Sequence, residues 1–443
     1  MTEQMSVGVP AGPERRAVER GGAVRKAALA LVLSTSLVAP TIAMAEPTEI
    51  TVWRHIGDLK PEMDTFASFV DGFNASQSDW KVKWEELPQK SYSDSVNAAA
   101  LSGTLPCAID VDGPLVPNFA WAGNVVPLDK YLTPEMKADM LPSTIGEYNG
   151  QIYGVGQFEA SLALWGRKSV LEKYGIRIPK GVDDPWTKDE FDAAAKKLKD
   201  SGEFENAIDL FTFYTHEWVP YAYSPLLQSF GGDLIDRSTF LTAEGKLNGP
   251  EANAWGEWWQ NLFKSGQANP KSTDDQAFIQ GRAALAYIGN WYYPNLHKAW
   301  GDDLVYMPPP DFGKGPKVGA GSWQWSITKS CANPDGAWAF INYMLQPENV
   351  AKMSNATGLI PSRTSAVPMT DLYKEGGPMA GITAFPKAFA VIRPPTPAYG
   401  FISTKFEETA MGIANGANVA DTLDDAVTAI DADIKANNGY GFK

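Results

Sequence analysis

Residues 50–84, ITVWRHIGDLKPEMDTFASFVDGFNASQSDWKVKW, alternate between strand and helix patterns and decide the fold class. Residues 50–53 are β-branched and aromatic, which is typical of a strand. Apolar side chains then recur at spacings of three and four between residues 66 and 73, and these spacings predict one buried face of a helix. Residues 80–84 alternate with a period of two, which predicts a half-buried strand.

The same alternation continues after this stretch, with a predicted helix over residues 94–102 and a short strand over residues 108–111. This order predicts an α/β fold with a mostly parallel sheet and helices on its faces. Ligands bind such sheets at the carboxyl ends of the strands. Further predicted elements are a helix over 186–199 that Thr187 caps ahead of Glu190, a strand over 323–327, a helix over 337–344 and a mainly helical tail over 405–435.

Residues 1–45 have the pattern of a cleavable secretory signal. Five basic residues precede an apolar stretch over residues 28–45, which ends in the small-x-small site Ala43-Met44-Ala45. The alternative is a membrane anchor, but the stretch barely reaches bilayer thickness and contains Pro40. Because Glu46 stands where a lipid-bearing cysteine would be, we expect a soluble periplasmic protein without a lipid anchor.

The chain is acidic, with a formal net charge of −14, and the leader carries more basic than acidic residues. This balance argues against nucleic acid and anionic membranes as partners, since both require a basic face. The part of the chain that follows the leader is long enough for two lobes with separate cores.

Two cysteines, Cys107 and Cys331, lie too far apart for a CxxC redox motif and are too few for a zinc site. In an oxidising compartment they are candidates for a disulfide. The alternative is a pair of free, buried thiols.

Motifs for catalysis are absent from the sequence. No phosphate-binding loop of the GxxxxGK[ST] kind occurs, and Pro220 breaks the HExxH-like string that starts at His216. We therefore predict no enzyme, no cofactor and no metal. A secreted carbohydrate-active enzyme stays open as an alternative, because a glycosidase needs only two carboxylates and the chain has many.

Several weak motifs occur in a characteristic order along nearly all of the chain after the leader. They occupy residues 50–53, 105–110, 148–154, 159–160, 230–232, 277–284, 288–291, 327–332, 337–345 and 358–361. Taken together, they resemble the family-1 extracellular solute-binding proteins of ABC importers, the maltose-binding-protein-like group, and within it the subgroup with sugar and polyol ligands. The chain departs from that pattern at Cys107, where the family has Asp, and in a signal without a lipid-bearing cysteine.

The resemblance implies a periplasmic binding protein of type II, with two discontinuous lobes and a ligand cleft between them. Lobe 1 is expected over 46–155 plus 322–366 and lobe 2 over 156–321 plus 367–443, with crossings near 155–158, 318–321 and 362–369. Ligand in the cleft would stabilise the closed form by contacting both lobes. The expected function is capture of a sugar, oligosaccharide or sugar alcohol by a monomer that delivers it to ABC permease subunits. A binding protein for a non-sugar solute remains a second alternative.

The resemblance also implies a set of ligand-binding residues at the strand ends. A sugar offers hydroxyls at its edge and C–H groups on its faces, which suit polar side chains and flat aromatic rings respectively. Trp291 is the expected stacking platform and Glu159 the expected hinge-side carboxylate. The remaining candidates are His55, Asp58, Asp112, Glu217, Trp218, Tyr221, Ser322, Trp323, Arg393 and Tyr399. Each also has a structural interpretation, namely core packing for the rings and a hinge salt bridge for Glu159.

Overall fold

The computed structural model describes residues 46–57 and 60–442. The predicted leader and the candidate Asp58 lie outside these residues. The strands are β1 (Thr48–Ile56), β2 (Trp80–Pro88), β3 (Ala108–Asp112), β4 (Ile145–Tyr148), β5 (Gln151–Gly156), β6 (Phe158–Glu159), β7 (Leu162–Arg167), β8 (Asn206–Asp209), β9 (Ala283–Gly289), β10 (Leu304–Met307), β11 (Val318–Ala320), β12 (Trp323–Ile327), β13 (Ile360–Pro361) and β14 (Ala390–Ile392).

Fourteen α-helices accompany these strands in the described residues. They are α1 (Lys60–Ser76), α2 (Gln89–Ser102), α3 (Val116–Trp121), α4 (Pro134–Asp139), α5 (Lys168–Lys173), α6 (Lys188–Asp200), α7 (Trp218–Phe230), α8 (Pro250–Lys264), α9 (Tyr293–Trp300), α10 (Pro334–Met344), α11 (Pro347–Thr357), α12 (Ala384–Phe389), α13 (Tyr399–Ala414) and α14 (Val419–Ala436). Among the helices within residues 46–442 that the structure describes, none combines the length and apolarity required to span a bilayer.

Two sheets organise the chain. The large sheet has six strands in the order β2-β1-β3-β12-β5-β4, and the small sheet has four in the order β10-β7-β9-β8. The α/β class is confirmed, but the expectation of mostly parallel sheets is wrong, because both sheets are mixed. In the large sheet only β1 pairs in parallel with its neighbours, whereas β12 runs antiparallel to both β3 and β5. This strand returns from the small-sheet part of the chain and therefore enters the large sheet from the opposite end.

The predicted apolar faces form the cores. Phe66, Phe69, Val70 and Phe73 of α1 are all buried against the large sheet, and Phe66 stacks on Trp325 of β12 with ring centroids 5.4 Å apart. The other face of this sheet is covered by α2 and α3 through a second apolar cluster.

The small sheet is also covered on both faces. On one side α6, α7, α8, α13 and α14 form an extensive core that includes the fully buried rings of Trp255 and Trp259. The cap predicted for α6 is confirmed, since the Thr187 hydroxyl accepts from the Glu190 amide while the Glu190 carboxylate accepts from the Thr187 amide. We refer to the two sheets with their helices as the large-sheet half and the small-sheet half.

The chain passes between the halves three times. The first passage runs from β5 through β6 to β7, and the second runs from β11 to β12. On the third passage β13 pairs antiparallel with β6, so that Ile360 lies opposite Glu159 and Pro361 opposite Phe158. The residue limits of the two predicted lobes stay a prediction.

A disulfide joins Cys107 and Cys331, with their Cα atoms 4.1 Å apart. Cys107 immediately precedes β3 and Cys331 follows β12, and these two strands are paired neighbours in the large sheet. The bond therefore lies within one half and leaves the three passages unrestrained.

Candidate ligand-binding site between the two sheets

The carboxyl ends of β1 and β3 place His55, Asp110 and Asp112 at one edge of the large sheet, as expected for strands that run in parallel. The His55 amide donates to Asp110 Oδ1 at 3.1 Å, and His55 Nδ1 lies 2.6 Å from Asp110 Oδ2. The imidazole ring stacks on the indole of Trp323, with centroids 3.7 Å apart and planes 16° from parallel. His55 thus covers one face of Trp323 from within the large-sheet half.

A buried ion-pair network joins the halves at the same edge. Arg393 of the small-sheet half donates through Nη1 and Nη2 to the two carboxylate oxygens of Asp112, each at 2.7 Å. The same Nη1 donates to Glu217 Oε2 at 2.8 Å, and the Tyr399 hydroxyl donates to that oxygen at 2.6 Å. Ser403 donates to the other oxygen of Glu217. Burial raises the pKa of Glu217, and the neighbouring Arg393 opposes this effect.

Aromatic rings of the small-sheet half cluster opposite this network. Trp291, directly after β9, meets Trp218 edge to face with centroids 6.3 Å apart, and its centroid lies 6.1 Å from that of Tyr221. Trp291 also packs against the apolar core of the large-sheet half. It is therefore an aromatic residue at the boundary between the two halves.

Glu159 lies at the junction of the passages and is fully buried. Its carboxylate accepts the Gly321 amide at 2.6 Å and the Ser143 hydroxyl. Burial raises its pKa to about 7, although hydrogen bonds from Ser143, Gly321 and Ala160 and the charge of Arg393 oppose this shift.

The buried polar atoms without a hydrogen-bond partner among the described residues include Ser322 Oγ, Ser161 Oγ and Arg393 Nε. Each belongs to a residue close to one of the aromatic rings. Ser322 precedes Trp323 in the chain. The Ser161 amide donates to the side-chain oxygen of Asn290, which is the neighbour of Trp291 in the chain. The Arg393 guanidinium carbon lies 5.1 Å from the ring centroid of Tyr221. A buried polar group without a partner costs roughly 1–3 kcal/mol, so a further partner for these atoms would stabilise this region.

The structure brings the sequence-predicted residues together in four contiguous groups. These are the stack of His55 on Trp323, the network of Asp112, Arg393, Glu217 and Tyr399, the ring cluster of Trp291, Trp218 and Tyr221, and the junction of Glu159 with Ser322 beside it. Asp58 lies outside the described residues. Within these groups most of the charged side chains bind one another, which the sequence interpretation did not anticipate.

Sequence reasoning missed several contributors to this region. Asp110 could have been found, because it precedes Asp112 by two residues on one strand and therefore shares its face. Ser143, Ser161 and Ser403 carry no signal of their own, because an isolated serine is common in turns and at helix ends whatever its function.

Comparison with known proteins places the chain in a family. The profile described as "Bacterial extracellular solute-binding protein" matches residues 68–380, more than two thirds of the chain. The chain belongs to this family of extracellular solute-binding proteins.

Relatives and solved structures extend the comparison of this solute-binding protein. A maltotriose-binding protein of Pyrococcus abyssi is 22% identical over 325 residues, which cover 71% of this chain and 66% of the relative. The maltodextrin-binding protein MdxE of Bacillus subtilis is 25% identical over 302 residues, with 65% and 68% of the two chains covered. The chain thus spans about two thirds of the length of these relatives.

The fold is shared with solved sugar-binding proteins. The cyclic alpha-maltosyl-1,6-maltose binding protein of Arthrobacter globiformis superposes with a TM-score of 0.71 at 24% identity, covering 88% of this chain and all of the other. The maltose/maltodextrin-binding domain of Bdellovibrio bacteriovorus, bound to maltotriose, gives a TM-score of 0.73 at 18% identity with 88% of this chain and all of the other covered.

Proposed function

We propose that this solute-binding protein captures a sugar, oligosaccharide or sugar alcohol between its two halves and delivers it to the permease subunits of an ABC importer. The observation that carries the proposal is the pairing of partly exposed aromatic rings with unpartnered buried polar atoms. Trp323 lies on the large-sheet side and Trp291 on the small-sheet side, with Ser322, Ser161 and Arg393 beside the rings. Rings match the C–H faces of a sugar, and hydroxyl and guanidinium groups match its edge.

In this proposal the candidate residues divide into two roles. Trp291, Trp323, Trp218 and Tyr221 provide the apolar surfaces, and Ser322 and Arg393 Nε provide hydrogen bonds. His55 supports Trp323 from behind, because its ring stacks on one indole face and is itself held by Asp110. In this proposal the ligand stacks on the part of the Trp323 indole that His55 does not cover.

Binding rather than catalysis is favoured by the state of the carboxylates at the site. A glycosidase needs one carboxyl group to donate a proton and another to act as nucleophile or base. Asp112 and Glu217 are both held by the same guanidinium, and both oxygens of Glu159 accept hydrogen bonds. Recovery of intact sugar after long incubation with the protein would agree with this view, and turnover would contradict it.

We further propose that the protein acts as a monomer in the periplasm after removal of residues 1–45. Export agrees with the disulfide between Cys107 and Cys331, since such bonds persist in oxidising compartments. Mass spectrometry of the exported protein should find Glu46 at the amino terminus. A retained leader or a lipid-modified species would contradict this assignment.

A melting-temperature screen tests the ligand class. A ligand that binds only the folded protein raises its melting temperature by mass action. We expect shifts with members of a panel of mono-, di- and oligosaccharides and polyols. A shift with peptides or metal chelates and none with any carbohydrate would contradict the proposal.

Substitution of the stacking platform tests the site itself. Trp291→Ala removes a ring contact worth roughly 1–3 kcal/mol, so calorimetry should show affinity weakened about tenfold or more. Trp300→Ala is the matched control, because this indole packs on Arg167 at the far end of α9. Unchanged affinity in Trp291→Ala, or equal losses in both variants, would show that Trp291 is not the platform.

A further inference from the structure

Glu159 contacts all three passages between the halves. It belongs to β6 of the first passage, and it receives the amide of Gly321 from the second passage at 2.6 Å. Its strand partner Ile360 belongs to β13 of the third passage. A single side chain and its backbone therefore connect every described segment that links the two halves.

The donors that hold this carboxylate are neutral. They are the backbone amide of Gly321 and the hydroxyl of Ser143, and no lysine, arginine or histidine in the described residues forms an ion pair with Glu159. The guanidinium of Arg393 exerts a field on Glu159, but its hydrogen bonds go to Asp112 and Glu217. Glu159 is thus a fully buried acid without a counter-ion in contact.

The surroundings of Glu159 make its charge state sensitive to closure. Burial raises its pKa from 4.5 to about 7. The charged and titratable groups that face it are Arg393, which favours the ionised form, and the phenol of Tyr221, which donates to the carbonyl of the adjacent Ala160 at 2.9 Å. The other neighbours, Ser143, Gly321 and Ile360, carry no charge.

We propose that Glu159 is a positioning residue of the hinge that ties the three passages together, and that its protonation sets how readily the two halves close on a ligand. This inference rests on the proposed function, because it concerns closure of the same cleft. It also differs from the sequence expectation, in which Glu159 contacts the sugar directly.

The direction of the effect follows from linkage. In the proposed mechanism, parting of the halves lets water reach the carboxyl group, so that its pKa falls toward the ordinary value of 4.5, and closure returns it to the buried value of about 7. Closure then takes up a proton at any pH between these two values. Capture is therefore favoured by acid, and affinity should be roughly tenfold tighter at pH 6 than at pH 8.

Calorimetric titration with maltotriose as the probe tests the inference at pH 6 and pH 8. Wild type should bind more tightly at pH 6 than at pH 8. Binding at pH 7 should take up protons, and this uptake is measured as a binding heat that changes with the ionisation enthalpy of the buffer. Glu159→Gln imitates the neutral acid, so it should bind at pH 8 as wild type binds at pH 6 and show no dependence on pH. Asp209→Asn is the matched control, because Asp209 is another buried carboxyl group, at the end of β8 and away from the passages. It should keep the pH dependence of wild type.

Each result decides between the hinge inference and the proposed function. A flat pH profile in wild type, or a profile that persists in Glu159→Gln, overturns the hinge inference and leaves carbohydrate binding intact. If maltotriose does not bind, small-angle scattering of ligand-free protein at pH 8 is the deciding measurement. A smaller radius of gyration for Glu159→Gln than for wild type then supports the inference, and equal radii overturn it.

Discussion

The ion pair between Asp112 and Arg393 should contribute to closure and not to the stability of either half. The two side chains come from opposite halves, form two hydrogen bonds of 2.7 Å and are only 9% and 5% exposed. Removing one partner of a buried pair costs about 3–5 kcal/mol, because the other charge is left without compensation. When the halves are apart both groups reach water, so the loss falls on the closing step.

The expected size of the effect differs between the two partners. Asp112→Asn should weaken carbohydrate affinity by about 3 kcal/mol or less, up to roughly a hundredfold, because Arg393 keeps Glu217 as a partner at 2.8 Å. Arg393→Met should cost more, because it leaves the carboxylates of both Asp112 and Glu217 unpaired.

A double-mutant cycle measured by calorimetry tests this reasoning. If the residues act on each other, the double variant should lose at least about 1 kcal/mol less than the sum of the single losses. Asp274→Asn is the matched control, since Asp274 pairs with Arg282 at 2.8 Å within the small-sheet half and should leave affinity unchanged. Additive losses for Asp112 and Arg393 would refute the reasoning, because each residue would then bind the ligand independently.

Two further predictions concern stability. Replacing Cys107 and Cys331 by alanine should lower the free energy of unfolding, measured in urea titrations, by up to roughly 5 kcal/mol, which is the chain-entropy limit for a loop this long. The affinity for ligand should not change, because the cleft lies at the opposite end of β3. Equal unfolding midpoints for oxidised and reduced wild type would contradict this. Asp209→Asn should raise the melting temperature at pH 7.5 and raise it about half as much at pH 5. Burial raises the pKa of Asp209 from 3.8 to about 6, so the charged form opposes folding increasingly as the pH rises between these two values. A variant less stable than wild type at pH 7.5 would show that the carboxylate is needed in its charged form.

Local patterns in the sequence were sufficient to predict many individual elements. The strand at residues 50–53, the α1 face at Phe66 and Phe69, and the Thr187 cap of α6 all depend on residues within one or two turns of each other. Such patterns can be identified from the sequence, because a helix face or a cap is defined by neighbouring residues in the chain.

These patterns could not predict whether neighbouring strands pair in parallel or antiparallel. Alternation of strands and helices predicted mostly parallel sheets, yet β12 enters the large sheet antiparallel after the chain has built most of the small-sheet half. An alternating pattern shows that a strand exists and which face is apolar, but it carries no information about the direction of its neighbours.

The sequence by itself determined the α/β class, the helix faces, the family resemblance and the residue types that gather at the strand ends. Tertiary structure alone decided which of those side chains bind each other. Arg393 and Asp112 are 281 positions apart, and Glu159 and Gly321 are 162 positions apart, so their contacts depend on how the two halves meet. The physical reason is that a buried charge takes the best partner within a few ångströms, and that partner is set by packing of distant segments and not by spacing along the chain.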